Sequence, residues 1–133
     1  MRVYLDTAPV IYLVENVAPW ERAVLAALGK EGVEPQVSVL TRMECRVKPL
    51  RTGATELLAD YEVFFKSMPG GLLELTAAAF DKAAELRARW NLRTPDALHI
   101  ATAILNGCDV FLTNDAALSR CTEIKVEVLN VAN

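Results

Sequence analysis

The stretch that decides the fold is "RVYLDTAPVIYLVEN", residues 2–16. Val3–Leu5 reads as a short apolar strand, and Asp6 follows at once, where the pattern turns helical over Pro9–Val14. A strand that passes directly into a helix is the opening of a βαβ unit. Asp6 and Thr7 both suit the N-cap of that helix, because their side-chain oxygens accept from its free N–H groups, and Pro9 suits the first turn. A carboxylate at the exit of a central strand is equally suited to chemistry, so the rest of the chain has to separate the two readings.

Working outward, apolar runs with strand character recur at Gln36–Val39, Leu72–Leu75, Asp109–Leu112 and Lys125–Leu129. Helical patterns lie between them at Pro19–Lys30, Leu40–Val47, Thr55–Phe65, Ala77–Trp90 and Pro95–Leu105. This alternation predicts an α/β fold, a mostly parallel sheet between two layers of helices. The only turn clusters are "GKEGVEP" and "SMPGG", each placed before a strand, and there is no internal repeat. The 133 residues suffice for one core, so a single domain over 1–133 is expected.

Composition narrows the function classes. Hydrophobic residues at 53% and charged residues at 23% exclude a disordered chain. No apolar run reaches the length of a membrane span. Met1 and Arg2 run straight into the first strand without the features of a signal peptide, which predicts a cytoplasmic protein. Cys45, Cys108 and Cys121 are odd in number and show no C-x-x-C spacing, so neither a disulfide framework nor a zinc site is indicated. A net charge of −3 argues against a generally basic nucleic-acid coat but leaves room for local patches. There is no G-x-x-x-x-G-K-[ST] phosphate loop, and no D-x-D follows the first strand as a phospho-acceptor domain would need.

In open parallel sheets, chemistry gathers at the carboxyl ends of the strands. Four acids map there. Asp6 follows Val3–Leu5, Asp115 follows Asp109–Leu112, Asp96 opens the helix "TPDALHIATAIL", and Glu44 lies in the helix that starts as Gln36–Val39 ends. Asp96, Ile100 and Ala103 share a helical face, as do Leu40, Glu44 and Val47, so both acids fall on inward, apolar faces. Thr94 is a plausible cap for the Asp96 helix, with Pro95 in its first turn. Each acid alone can serve a helix terminus or an ion pair. Four together at one edge would repel one another without a cation. An all-carboxylate set suits Mg²⁺ or Mn²⁺, ions that keep several waters and bind phosphates. Such an ion activates water for phosphoester hydrolysis.

The segments "YLDTAPVIYLVE", "VLTRMECRVKP", "TPDALHIATA" and "FLTNDAAL" resemble the four acidic motifs of PIN-domain ribonucleases, in particular the VapC-type toxins of bacterial toxin–antitoxin pairs. The resemblance runs from the first strand to the last motif. It implies a PIN-like αβα sandwich and a metal-dependent endoribonuclease that hydrolyses RNA phosphodiester bonds. Asp6, Glu44, Asp96 and Asp115 would be its catalytic metal ligands, with Thr7, Thr113 and Asn114 orienting carboxylates or waters, and with local capping left to Thr7. Many relatives carry a further Asp and an aromatic residue after the last motif. Here "AAL" follows Asp115, so no fifth acid is available for a second metal. The resemblance also implies a homodimer silenced by a cognate antitoxin lying in an apolar groove near the site, with Tyr12, Val14, Val17 and Trp20 as candidate lining, although core is the stronger reading of those four.

An acidic site needs basic neighbours to hold a polyanion. Arg42, Arg46, Lys48 and Arg51 surround Glu44 with few compensating acids and are the candidate RNA contacts. Lys82, Arg87, Arg89 and Arg93 form a second group, diluted by Asp81 and Glu85, and either group could instead be a solvated helix face. Trp90 reads as packing rather than a base platform, and His99 as a satisfied structural histidine. The competing function is a non-catalytic module with the same fold that binds protein or RNA. Inward charges that such a module does not need argue against it.

Overall fold

In the computed structural model, which describes residues 1–131, the first strand is the centre of the sheet. The strands are β1 (Arg2–Leu5), β2 (Glu34–Gln36), β3 (Val110–Thr113) and β4 (Lys125–Val128), ordered β2-β1-β3-β4 with every pair parallel. Between β1 and β2 run the helices α1 (Thr7–Val14) and α2 (Trp20–Leu28). Between β2 and β3 come α3 (Val39–Thr52), α4 (Thr55–Lys66), α5 (Ala77–Trp90) and α6 (Thr94–Leu105), and a 3₁₀ turn, Ala116–Arg120, precedes β4. Among the described residues no helix is long and apolar enough to cross a membrane.

The strand pleat splits the core in two. Tyr4 and its partner Phe111 point to one face, where they pack with Leu86 of α5 and with Ala97, Ile100 and Ala101 of α6. Val3, Leu5, Val110 and Leu112 point to the other, against Val10, Val24, Tyr61 and Phe65 from α1, α2 and α4. The expected α/β architecture, a parallel sheet between helices, is what forms. Cys45, Cys108 and Cys121 are all buried free thiols, and burial raises each above the ordinary cysteine range.

Three local expectations are corrected. Leu72–Leu75 is not a strand: it makes one isolated parallel bridge, Ser38 to Leu73, with Leu73 N–H donating to Val37 at 2.9 Å and Val39 N–H donating to Leu73 at 3.0 Å. Pairing stops there because Ser38, still extended, caps α3 and the chain turns helical at Val39, while β2 lies upstream at Glu34–Gln36. The capping box of Ser38 and Thr41 starts α3 at Val39. The same helix continues past Val47 to Thr52, accommodating Pro49, and stops at Gly53, whose φ of 70° is the left-handed cap that glycine adopts without a Cβ clash. At α6 the cap position is Arg93, and Thr94 is already inside the helix and does not cap it. This puts Asp96 in the first turn, where its charge faces the positive end of the helix.

Candidate active site

The chain reverses its direction of travel across the sheet at β1, placing β2 on one side and β3 on the other. The carboxyl ends of β1 and β3 therefore sit side by side, with Leu5 opposite Leu112 and Asp6 N–H donating to Leu112 at 2.9 Å. This is the switch point at which parallel sheets open a crevice. Asp6 leaves β1 there and caps α1, its Oδ1 accepting from Thr7 N–H at 2.9 Å. Its Oδ2 accepts from the hydroxyl of buried Thr113, the last residue of β3, at 2.8 Å. Thr113 Oγ1 in turn accepts from Asp115 N–H at 3.1 Å, and Asp115 Oδ1 caps the 3₁₀ turn through Ala117 N–H at 3.0 Å. One threonine thus ties the two aspartates at the strand ends together.

The expected capping roles of Asp6 and Thr7 are exchanged. Asp6 is the cap, which frees the Thr7 hydroxyl to donate to Glu44 Oε1 at 2.6 Å. Glu44 arrives from α3 on its inward side, and the same Oε1 lies 2.6 Å from His99 Nε2 of α6. Burial would raise the Glu44 carboxyl, but the hydrogen bonds with His99 and Thr7 and the attraction of the imidazole outweigh it and hold the group below its ordinary range. His99 Nε2 is also 3.9 Å from Asp6 Oδ1.

Asp96 completes the set from the first turn of α6. Its carboxyl is raised above the ordinary range, first by burial and then by the charges of Asp6 and Asp115, with Arg93 opposing. Asp6, Glu44, Asp96 and Asp115 thus lie at one end of the sheet, although no group of three His, Cys, Asp or Glu side chains is close enough to hold a metal ion among the described residues. Each of Asp6, Glu44 and Asp115 is instead held by protein donors. The donor set is all oxygen. That fits the chemistry of a hard divalent cation, which these carboxylates would hold.

The remaining expected residues divide. Asn114 does not orient an acid: its amide donates to the Tyr12 hydroxyl at 2.8 Å. Arg42 and Arg46 are not without compensation, because Glu62 of α4 accepts from Arg42 Nη2 at 2.6 Å and lies 3.9 Å from Arg46 Nε. Lys48 and Arg51 are exposed. In the second basic group, Lys82 and Arg89 pair with Glu123, while Arg87 donates to the Leu92 carbonyl. Trp90 is anchored by its indole N–H on Glu123 at 2.8 Å, as packing requires. Tyr12 and Trp20 stack at 5.3 Å and, with Val14, pack partly buried against the core. Sequence reasoning missed two contributors to the site, Tyr4 and Ser38. The Tyr4 hydroxyl is 2.6 Å from His99 Nδ1 and 2.7 Å from Ser38 Oγ, all three residues being buried.

Residues 3–124 match the family model of the PIN domain, and the chain belongs to that family. Nothing among curated proteins matches it in sequence. In fold it is similar to the crystal structure of VapBC2 from Rickettsia felis bound to a DNA fragment from their promoter, with a TM-score of 0.78 and 14% identity over 98% of this chain and 100% of that one. A toxin–antitoxin complex from Klebsiella pneumoniae gives a TM-score of 0.77 and 19% identity over 96% and 98% of the two chains. DNA-bound VapBC from Salmonella typhimurium gives 0.74 and 20% over 98% and 99%.

Proposed function

We propose that this chain is a single PIN domain acting as a Mg²⁺- or Mn²⁺-dependent endoribonuclease, the toxin of a toxin–antitoxin pair. The observation that carries the reading is Asp96, a half-buried carboxylate whose charge is disfavoured first by burial and then by the charges of Asp6 and Asp115. A protein with no use for a cation there would be stabilised by a neutral side chain. Asp6, Glu44, Asp96 and Asp115 would hold the ion, directly or through its waters. When bound, such a cation would supply an activated water and offset negative charge on the phosphodiester. Thr113 and Thr7 keep Asp6 and Glu44 in place, so that little reorganisation accompanies binding. Similarity to chains from toxin–antitoxin complexes supports a cognate antitoxin as partner. A homodimer in the cytoplasm completes the proposal.

The deciding experiment is cleavage of RNA by the purified chain in Mg²⁺ and in EDTA. Cleavage is expected in Mg²⁺ and should vanish in chelator, returning when Mg²⁺ is restored in excess. Cleavage that persists in chelator would sink the mechanism. The distance between the acids favours a second reading, a non-catalytic PIN module. RNA that is bound but never cut, with no response to metal, would establish that reading instead.

Since Arg42 and Arg46 share Glu62, the exposed pair Lys48 and Arg51 is the better phosphate contact in the basic group. Replacing both with Ala is expected to weaken RNA binding at all sequences. It should also flatten the log–log salt dependence by about 0.7 per lost contact on a single strand. An unchanged slope assigns the pair to a solvated helix face.

A further inference from the structure

The α3 cap and the candidate site are joined by a line of side chains, buried Ser38, Tyr4 and His99 and half-buried Glu44, contributed by α3 with its cap, β1 and α6. Its direction follows from where the protons can go. Ser38 Oγ already accepts from Leu40 N–H at 3.2 Å and Thr41 N–H at 3.4 Å, as the cap of a helix must. Its own proton therefore points away from the helix, and the nearest acceptor is the Tyr4 oxygen at 2.7 Å, against 3.4 Å to Thr41 Oγ1. With that oxygen accepting from Ser38, the Tyr4 proton goes to His99 Nδ1 at 2.6 Å. An imidazole that accepts at Nδ1 carries its proton on Nε2, and Nε2 faces Glu44 Oε1 at 2.6 Å. Every bond then has one donor and one acceptor, and the buried polar atoms are satisfied.

We propose that His99 is a positioning residue whose Nε2–H, oriented through Tyr4 by the Ser38 cap, immobilises Oε1 of Glu44 and leaves Oε2 to meet the divalent cation. The inference rests on the metal-dependent reading above and adds to it a defined role for each oxygen of Glu44. Oε1 is saturated, taking one bond from His99 and one from Thr7. Oε2 accepts no hydrogen bond among the described residues. Stacking of the Tyr4 ring on Phe111 at 5.5 Å, and its edge against His99 at 5.6 Å, keep the line from rotating. The structural alternative is that His99 merely fills the core.

His99 is the only histidine, so its ring signals are unambiguous in a long-range ¹H–¹⁵N correlation spectrum of the full chain. The metal-free protein is expected to show the Nε2–H tautomer with Nδ1 hydrogen-bonded, and Tyr4→Phe should remove the bond at Nδ1. An Nδ1–H tautomer in wild type overturns the inference. Mn²⁺ titration supplies the second readout. Tyr4→Phe should bind Mn²⁺ about 10–100-fold more weakly, the usual effect of losing a partner behind a ligand. His99→Gln, whose amide can donate from the position of Nε2, should retain more Mn²⁺ affinity than His99→Asn, whose amide can reach only toward Tyr4. Equal Mn²⁺ affinity of Gln and Asn variants with matching melting curves means that His99 only fills space, and overturns the inference. A wild type that binds Mn²⁺ but leaves RNA intact removes the nuclease reading alone, while the Gln and Asn comparison still judges His99. A wild type that binds no Mn²⁺ overturns both.

Discussion

Asp96→Asn should reduce RNA cleavage by orders of magnitude and yet melt no lower than wild type in EDTA. The two halves come from one environment. In the folded chain the Asp96 carboxyl is raised by burial and by Asp6 and Asp115, so it holds its proton more readily folded than unfolded. The unfolded chain therefore binds fewer protons as pH rises through the unfolded value, and at neutral pH the ionised group subtracts from stability. Asparagine keeps the shape and removes the charge. The gain is reduced by the lost attraction to the α6 N-terminus, worth a few tenths to about 1 kcal/mol. Mg²⁺ should raise the melting temperature of wild type by mass action and that of the variant less, because a ligand has gone. Activity would fall because Asp96 is one of the residues proposed to hold the cation, which would supply the activated water. If Asp96 only serves its helix, the variant melts lower in EDTA, Mg²⁺ shifts neither curve, and cleavage survives. Two melts with and without Mg²⁺, beside one cleavage assay, separate these outcomes.

What could be read from the chain depended on how local the cause was. Val3–Leu5 and Asp109–Leu112 announce parallel strands through their apolar runs, and the acids after them fall at strand exits by continuity of the backbone alone. Asp96 and Glu44 were found by helical spacing, which is also local. Leu72–Leu75 carries the same apolar signal as a strand, but pairing needs a neighbour, and the Ser38 cap withdraws it after one bridge. The compensation of Arg42 by Glu62 spans 20 residues and two helices. The contact of Tyr4 with His99 spans 95 residues. Neither separation leaves a periodic trace, so His99 could be recognised as a satisfied buried histidine without its partners being named. The exchange between Asp6 and Thr7 was open for a subtler reason: both side chains can cap, and only the arrival of Glu44 beside Thr7 decides which one does.

Asp6→Ala is expected to abolish cleavage as Asp96→Asn does, but with the opposite effect on stability. Asp6 has two hydrogen-bonding duties that Asp96 lacks. Its Oδ1 caps α1, and replacing such a cap by Ala costs about 0.5–2 kcal/mol. Its Oδ2 is the acceptor for the hydroxyl of Thr113, which is fully buried and already uses its oxygen to accept from Asp115 N–H. Without Asp6 that hydroxyl proton is left unpaired, at about 1–3 kcal/mol. The charge also faces His99 Nε2 at 3.9 Å. Against these losses stands the relief of repulsion with Asp96, which recovers part of the cost. The net expectation is a melting temperature lowered by several degrees in EDTA, since about 1 kcal/mol corresponds to a few degrees in a domain of this size. Asp6→Asn should fall between, because its amide oxygen can keep either the cap or the Thr113 bond. The pair Asp6→Ala and Thr113→Val provides the check on cause: Thr113→Val removes the same hydroxyl, so the double variant should be less destabilised than the sum of the singles. Additive losses would show that Asp6 stabilises the chain through its cap alone, and an Asp6→Ala chain that melts like wild type would remove Asp6 from the framework that holds β1 and β3 together at the site.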